Sequence, residues 1–72
     1  MAIVYERDER GARLFRFAGV RYRAFWLSLG HEWSVRELTE DGTPTGRHWN
    51  QRNWKAVESF MEWLAKCDGR AA

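Results

Sequence analysis

The stretch Ala12–Leu29, "ARLFRFAGVRYRAFWLSL", decides how this chain folds. Apolar and basic side chains alternate on both sides of Ala18-Gly19, and a period of two is the mark of a half-buried strand. Ala18-Gly19 reads as a two-residue hairpin turn, which fixes the register of the strands it joins. Phe17 then faces Val20, Arg16 faces Arg21, Phe15 faces Tyr22 and Leu14 faces Arg23. Phe15, Phe17, Val20, Tyr22, Ala24 and Trp26 share one face of the hairpin. Leu14, Arg16, Arg21 and Arg23 share the other. One face is expected to be core, the other a basic surface.

Upstream, "AIVYERD" reads as a first strand and "DERG" (Asp8 to Gly11) as a turn. Downstream, Gly30-His31 reads as a turn into a fourth strand, "EWSVREL". That turn pairs Trp26 with Val35 and Phe25 with Arg36. Trp33 and Val35 then join the apolar face, and Arg36 joins the basic one, where Phe25, Leu27 and Tyr5 are the candidates to lie between the arginines. "TEDGTPTG" (residues 39–46) holds the only proline and reads as a loop. "RHWN" (residues 47–50) reads as a short fifth strand.

The period changes in the last third. Trp54, Val57, Phe60, Met61, Leu64 and Cys67 form one stripe of an amphipathic helix. Asn50 or Asn53 caps its start, and Gly69 sits where a C-terminal glycine ends a helix. Trp63 lies off the stripe, as a flank of the core or as an exposed contact residue. The order β-β-β-β(-β)-α predicts an α+β fold, a small antiparallel β-meander of four or five strands with one C-terminal α-helix packed on one face. A single domain is expected over residues 1–69, with a short tail at 70–72.

A chain of 72 residues buries only about 60% of its unfolded surface, so large side chains must supply the core. Five Trp, four Phe and two Tyr do so. The single cysteine, Cys67, excludes an internal disulfide and reads as a small buried hydrophobe on the helix. The N-terminus has no apolar signal-peptide core, and no apolar run approaches about 18 residues. A soluble, cytoplasmic protein without membrane association is expected. The net charge is only +2, but its distribution is uneven. Between Arg10 and His31 there are five arginines and no acid, against seven basic and ten acidic residues elsewhere.

No catalytic constellation stands out. His31 and His48 belong to different elements, and metal-ligand spacings, GxGxxG and the P-loop pattern are all missing. Ser28, Ser34 and Ser59 have no paired base in the sequence. No enzyme activity, cofactor, metal or small-molecule substrate is expected. Like charges directly opposite on paired strands cost a few tenths of a kcal/mol or more. A sheet that keeps Arg16 facing Arg21 needs Glu6 or Glu37 as counter-charge, or a negatively charged ligand.

Four further features lie between residues 19 and 67: "GVRYR" (Gly19 to Arg23), Trp33 opening its strand, "RHW" (Arg47 to Trp49), and a helix with Ala56 and Val57 early in it. On these the chain resembles the three-stranded-sheet-plus-helix DNA-binding domains of plant ethylene-response factors and of phage-type tyrosine recombinase N-termini. The first two strands have no counterpart in it. The resemblance implies that arginines and a tryptophan on the open sheet face enter the major groove, with the helix behind. It points to Arg21, Arg23, Arg47 and Trp49, with Arg36 also facing DNA and Trp33 in the core.

Together these readings give Arg16, Arg21, Arg23, Phe25, Arg36, Arg47 and Trp49 as the candidate binding residues. The expected function is nucleic-acid binding, with DNA favoured, through a basic, aromatic-lined sheet face. The alternative is a phage or mobile-element type of protein that binds and inhibits a protein partner, an anti-CRISPR or anti-defence type of inhibitor acting on a nucleic-acid-handling complex.

Overall fold

A computed structural model describes residues 2–70. Five strands, β1 (Val4–Glu9), β2 (Ala12–Phe17), β3 (Val20–Leu27), β4 (Glu32–Leu38) and β5 (Pro44–Gln51), precede one helix, α1 (Trp54–Cys67). The strands form one open antiparallel sheet in the order β1-β2-β3-β4-β5, a meander with the helix on one face. The last two residues of the expected tail lie outside the described residues.

The β2–β3 hairpin has the register that its sequence dictates, from Ala12 opposite Phe25 to Phe17 opposite Val20. Ala18 and Gly19 both take positive φ, 51° and 82°. That is the two-residue turn whose twist matches the twist of paired strands. The next connection differs from expectation. It is a four-residue loop, Ser28 to His31, with His31 at a φ of 50°. Trp26 therefore pairs with Trp33 and Phe25 with Ser34, two positions from the register that a turn at Gly30-His31 would impose. A shift of two leaves every side chain on its expected face, because the side-chain period is also two.

Two strands carry irregularities. In β1 the pairing slips between Tyr5 and Arg7, so Glu6 is an extra residue. Tyr5 falls on the helix side, packed against Phe15 and Trp54, and not on the basic face. In β5 the slip lies between Arg36 and Leu38, where Glu37 faces the segment Thr45, Gly46 and Arg47. Gly46 has a φ of 99°, which suits a residue without a Cβ. The fifth strand is thus longer than "RHWN" and begins at Pro44, inside the stretch that reads as a loop. Proline is tolerated because β5 is an edge strand and the missing N–H removes no ladder bond.

The core lies between the sheet and α1. Phe15, Tyr22, Ala24, Val35, Val57 and Met61 have no solvent exposure, and Phe17, Trp33, Leu64 and Ala65 complete the cluster. The buried helix positions are Val57, Met61, Leu64 and Ala65, so the stripe is centred on Met61. Phe60 is half-buried at its flank, and Cys67 is exposed, contrary to its reading as a core residue. The last turn rotates Cys67 away from the sheet while Ala65 takes the inward position.

Asn53 caps α1 by accepting a hydrogen bond from the Ala56 amide at 2.8 Å. At the other end the Gly69 amide donates to Lys66 O and the Arg70 amide to Ala65 O, with Gly69 at a φ of 71°. That pair of bonds is the Schellman termination.

Arg13 points into the helix side. Its guanidinium lies 4.9 Å from the Trp33 ring and 4.3 Å from the Trp54 ring, and its Nε is 3.2 Å from Asp8. It acts as a structural cation between two indoles.

Candidate nucleic-acid interface

The face of the sheet turned away from α1 is ordered in rows across the strands. One row runs Val4, Arg16, Arg21, Leu38 and Pro44. The next runs Arg7, Leu14, Arg23, Arg36 and His48. A third runs Glu9, Ala12, Phe25, Ser34 and Asn50. Strict alternation in β2, β3 and β4, set by the Phe15, Tyr22 and Val35 side chains that the core buries, forces these positions outward.

The first row is internally neutralised. Arg16 donates to both carboxylate oxygens of Glu40, at 3.1 and 2.9 Å, and lies 3.5 Å from Glu6. Arg21 donates from Nε to Glu6 at 3.0 Å and from Nη1 to the Glu40 carbonyl at 2.9 Å. The β4–β5 loop delivers Glu40. Thr39 and Thr43 close it through a backbone bond of 2.8 Å, and Asp41 accepts from the Thr39 hydroxyl and the Thr43 amide. The counter-charges for Arg16 and Arg21 are thus Glu6, one of the two expected residues, and Glu40. Glu37 lies on the opposite face.

The second row is different. Arg23 and Arg36 are exposed and directly opposite each other, and among the described residues neither has an ion pair or a side-chain hydrogen bond. His48 extends the row across β5. Phe25, 36% exposed on the central strand, lies beside them in the third row. The chain matches no family model, no curated protein and no solved structure. The site therefore rests on its own geometry. Five of the seven candidate residues, Arg16, Arg21, Arg23, Phe25 and Arg36, share this face.

Arg47 and Trp49 do not. They alternate onto the helix side of β5, where the resemblance would have them on the open side. Arg47 donates to Glu37 at 3.1 Å and to Asp68 at 3.1 Å, and its guanidinium lies 5.2 Å from the Trp49 ring. Trp49 packs on Phe60 at 5.2 Å, and Phe60 on Trp63 at 5.6 Å. Trp63 is 58% exposed and so is not a flank of the core. Arg7 and Glu9 also lie on the open face, whereas Tyr5 does not: unbroken alternation would put all three on one face, and the extra Glu6 separates them.

The arginine pairs set an acid limit on stability. Glu6 is held below its ordinary value of 4.5, chiefly by its hydrogen bond from Arg21, and Glu40 likewise by Arg16. Asp68 is lowered chiefly by Arg47. Carboxylates lowered in the folded state contribute stability that is complete above their ordinary values and is lost as pH falls through the lowered ones. The melting temperature is therefore expected to fall as pH drops below 4.5, and the Glu6→Gln/Glu40→Gln double variant is expected to show a shallower acid dependence. Identical acid profiles for the two proteins would show that these pairs contribute nothing.

No helix among the described residues is long and apolar enough to cross a membrane.

Proposed function

We propose that the protein is a small non-enzymatic binding module that holds nucleic acid, DNA in the first instance, on the open face of its sheet. One observation carries this reading: Arg23 and Arg36 stand opposite each other with no ion-pair partner among the described residues, beside an exposed Phe25. Elsewhere on the same face the structure balances its arginines with carboxylates. Two facing cations left unbalanced cost stability in the free protein, and an anion bound between them removes that cost. Phosphates supply the anion, and an aromatic ring on a flat sheet supplies a surface for a base.

Salt dependence tests it. Each phosphate neutralised contributes about −0.7 (single strand) to −0.9 (duplex) to the slope of log K against log salt. The Arg23→Gln/Arg36→Gln double variant is expected to reduce the magnitude of that slope by about 1.4 to 1.8 while melting at or above the wild-type temperature. Binding with an unchanged slope in the double variant overturns the reading.

The ridge of Trp49, Phe60 and Trp63 favours a second reading, a protein partner, since exposed tryptophans are frequent interface hot spots. Under that reading no salt-dependent nucleic-acid binding occurs, and Trp63→Ala abolishes capture of one protein from lysate.

A further inference from the structure

Between β1 and β3 the open face is not flat. A shallow cavity of about 210 Å³ lies there, with Arg7, Glu9, Ala12, Leu14, Arg23 and Phe25 in its lining. Its floor exists because of one small side chain. Glu9, Ala12 and Phe25 are consecutive in one row, so Ala12 leaves a slot between a carboxylate on one side and an aromatic ring on the other. The neighbouring row puts Arg7 and Arg23 on either side of Leu14, at the upper end of the same slot. Among the described residues Glu9 has a single ionic contact, 3.5 Å from Arg7 Nε, with both side chains more than 60% exposed, so its acceptor capacity toward them is largely unspent.

We infer that this slot takes one unpaired nucleobase that carries an exocyclic amino group, cytosine foremost, and that the face therefore prefers single-stranded over duplex DNA. The inference rests on the nucleic-acid reading above and names the form of the ligand. The base lies against Phe25. Its amino group donates to Glu9, the pairing by which carboxylates select cytosine over thymine. Arg23 and Arg36 hold the adjacent phosphates. A ring within a duplex cannot reach the slot, because its faces are stacked and its pairing edge is occupied. Charge points the same way. Arg23 and Arg36 form a narrow cationic patch bordered by Glu6 and Glu40 on one side and by Glu9 and Glu32 on the other. A single strand fits along it, whereas a duplex lays its phosphates over those carboxylates.

The experiment compares fluorescently labelled ten-residue oligo-dC, oligo-dT and a mixed-sequence duplex by anisotropy at pH 7.5 and low salt. Oligo-dC is expected to bind more tightly than oligo-dT and than the duplex, each by about five-fold or more. Glu9→Gln is expected to bring oligo-dC and oligo-dT together. Phe25→Ala is expected to weaken oligo-dC about ten-fold. Ala12→Leu fills the slot without changing any charge and is expected to remove the preference for the single strand. Circular dichroism of each variant confirms that the sheet is intact. Equal binding of oligo-dC and oligo-dT, or tighter binding of the duplex, overturns the slot and leaves the nucleic-acid reading standing, provided that Arg23 and Arg36 set the salt slope. Absence of binding to all three overturns both.

Discussion

Phe15→Ala is expected to lower the stability of the fold by about 3–5 kcal/mol, about twice the loss expected for Phe60→Ala. Phe15 has no solvent exposure and sits where three aromatic rings meet. It stacks on Tyr22 at 5.5 Å, takes Trp54 edge-on at 5.6 Å and touches Tyr5 at 6.5 Å. Truncating a buried phenylalanine costs about 3–5 kcal/mol, the lost transfer energy together with the cavity left behind. A domain of this length has a total stability of about 4–11 kcal/mol, so the loss consumes much or all of it. Phe60 lies on the rim of the helix stripe, half-buried between Trp49 and Trp63, and its truncation is expected to cost about half as much. Chemical denaturation of both variants checks the contrast. Equal destabilisation would mean that the centre of the helix face is not Met61.

The second large effect is expected at the last described residue. Arg70 donates from Nη1 to the Phe17 and Ala18 carbonyls at 3.1 and 3.4 Å, and from Nη2 to the Tyr22 hydroxyl at 2.8 Å and to Asp68 at 3.3 Å. It ties the end of α1 to the β2–β3 turn, and its side chain is only 19% exposed. Arg70→Ala leaves two carbonyls and a buried phenol without their charged donor, at an expected cost of about 2–4 kcal/mol. Ending the chain at residue 69, where the sequence suggests that the domain stops, is expected to do the same. Arg70→Lys is expected to recover only part, because one ammonium cannot span acceptors that a guanidinium fork reaches together. Burial already raises the Tyr22 pKa, and Arg70 opposes that rise. Ultraviolet titration of Arg70→Ala is thus expected to show the phenol ionising at still higher pH. An unchanged titration would separate Arg70 from Tyr22.

The β2–β3 hairpin and the faces of β4 were legible because alternation and a two-residue turn determine them together. Even the misplaced β3–β4 register kept Phe25 and Arg36 on the open side, since its error was an even number of residues. The edge strands were not legible. A single extra residue in β1 reverses the faces of all that follows, and no residue type in "VYERDE" announces a bulge. In β5, Pro44 and Gly46 are punctuation to a reader of sequence, and only the strand's place at the edge makes them acceptable. The expectation for Arg47 and Trp49 rests on a resemblance whose strand count does not fix their parity here. The pairing of Arg16 with Glu40, 24 residues away, depends on how the β4–β5 loop folds back. That is a tertiary fact with no local signature, and it is why the sequence alone suggests a broader basic face than the structure has.

Both irregularities lie on the two strands that have a neighbour on only one side. An open sheet offers its outer backbone donors and acceptors to any extended chain, and straight, apolar edges invite end-to-end polymerisation. Here one edge is kinked at Glu6 and carries four consecutive charged residues, Glu6 to Glu9. The other is interrupted by a residue without an amide hydrogen and twisted at Gly46. The features that hide the strand pairing from a sequence reader also deny a second sheet a regular ladder to join, which favours the solitary domain over a fibre.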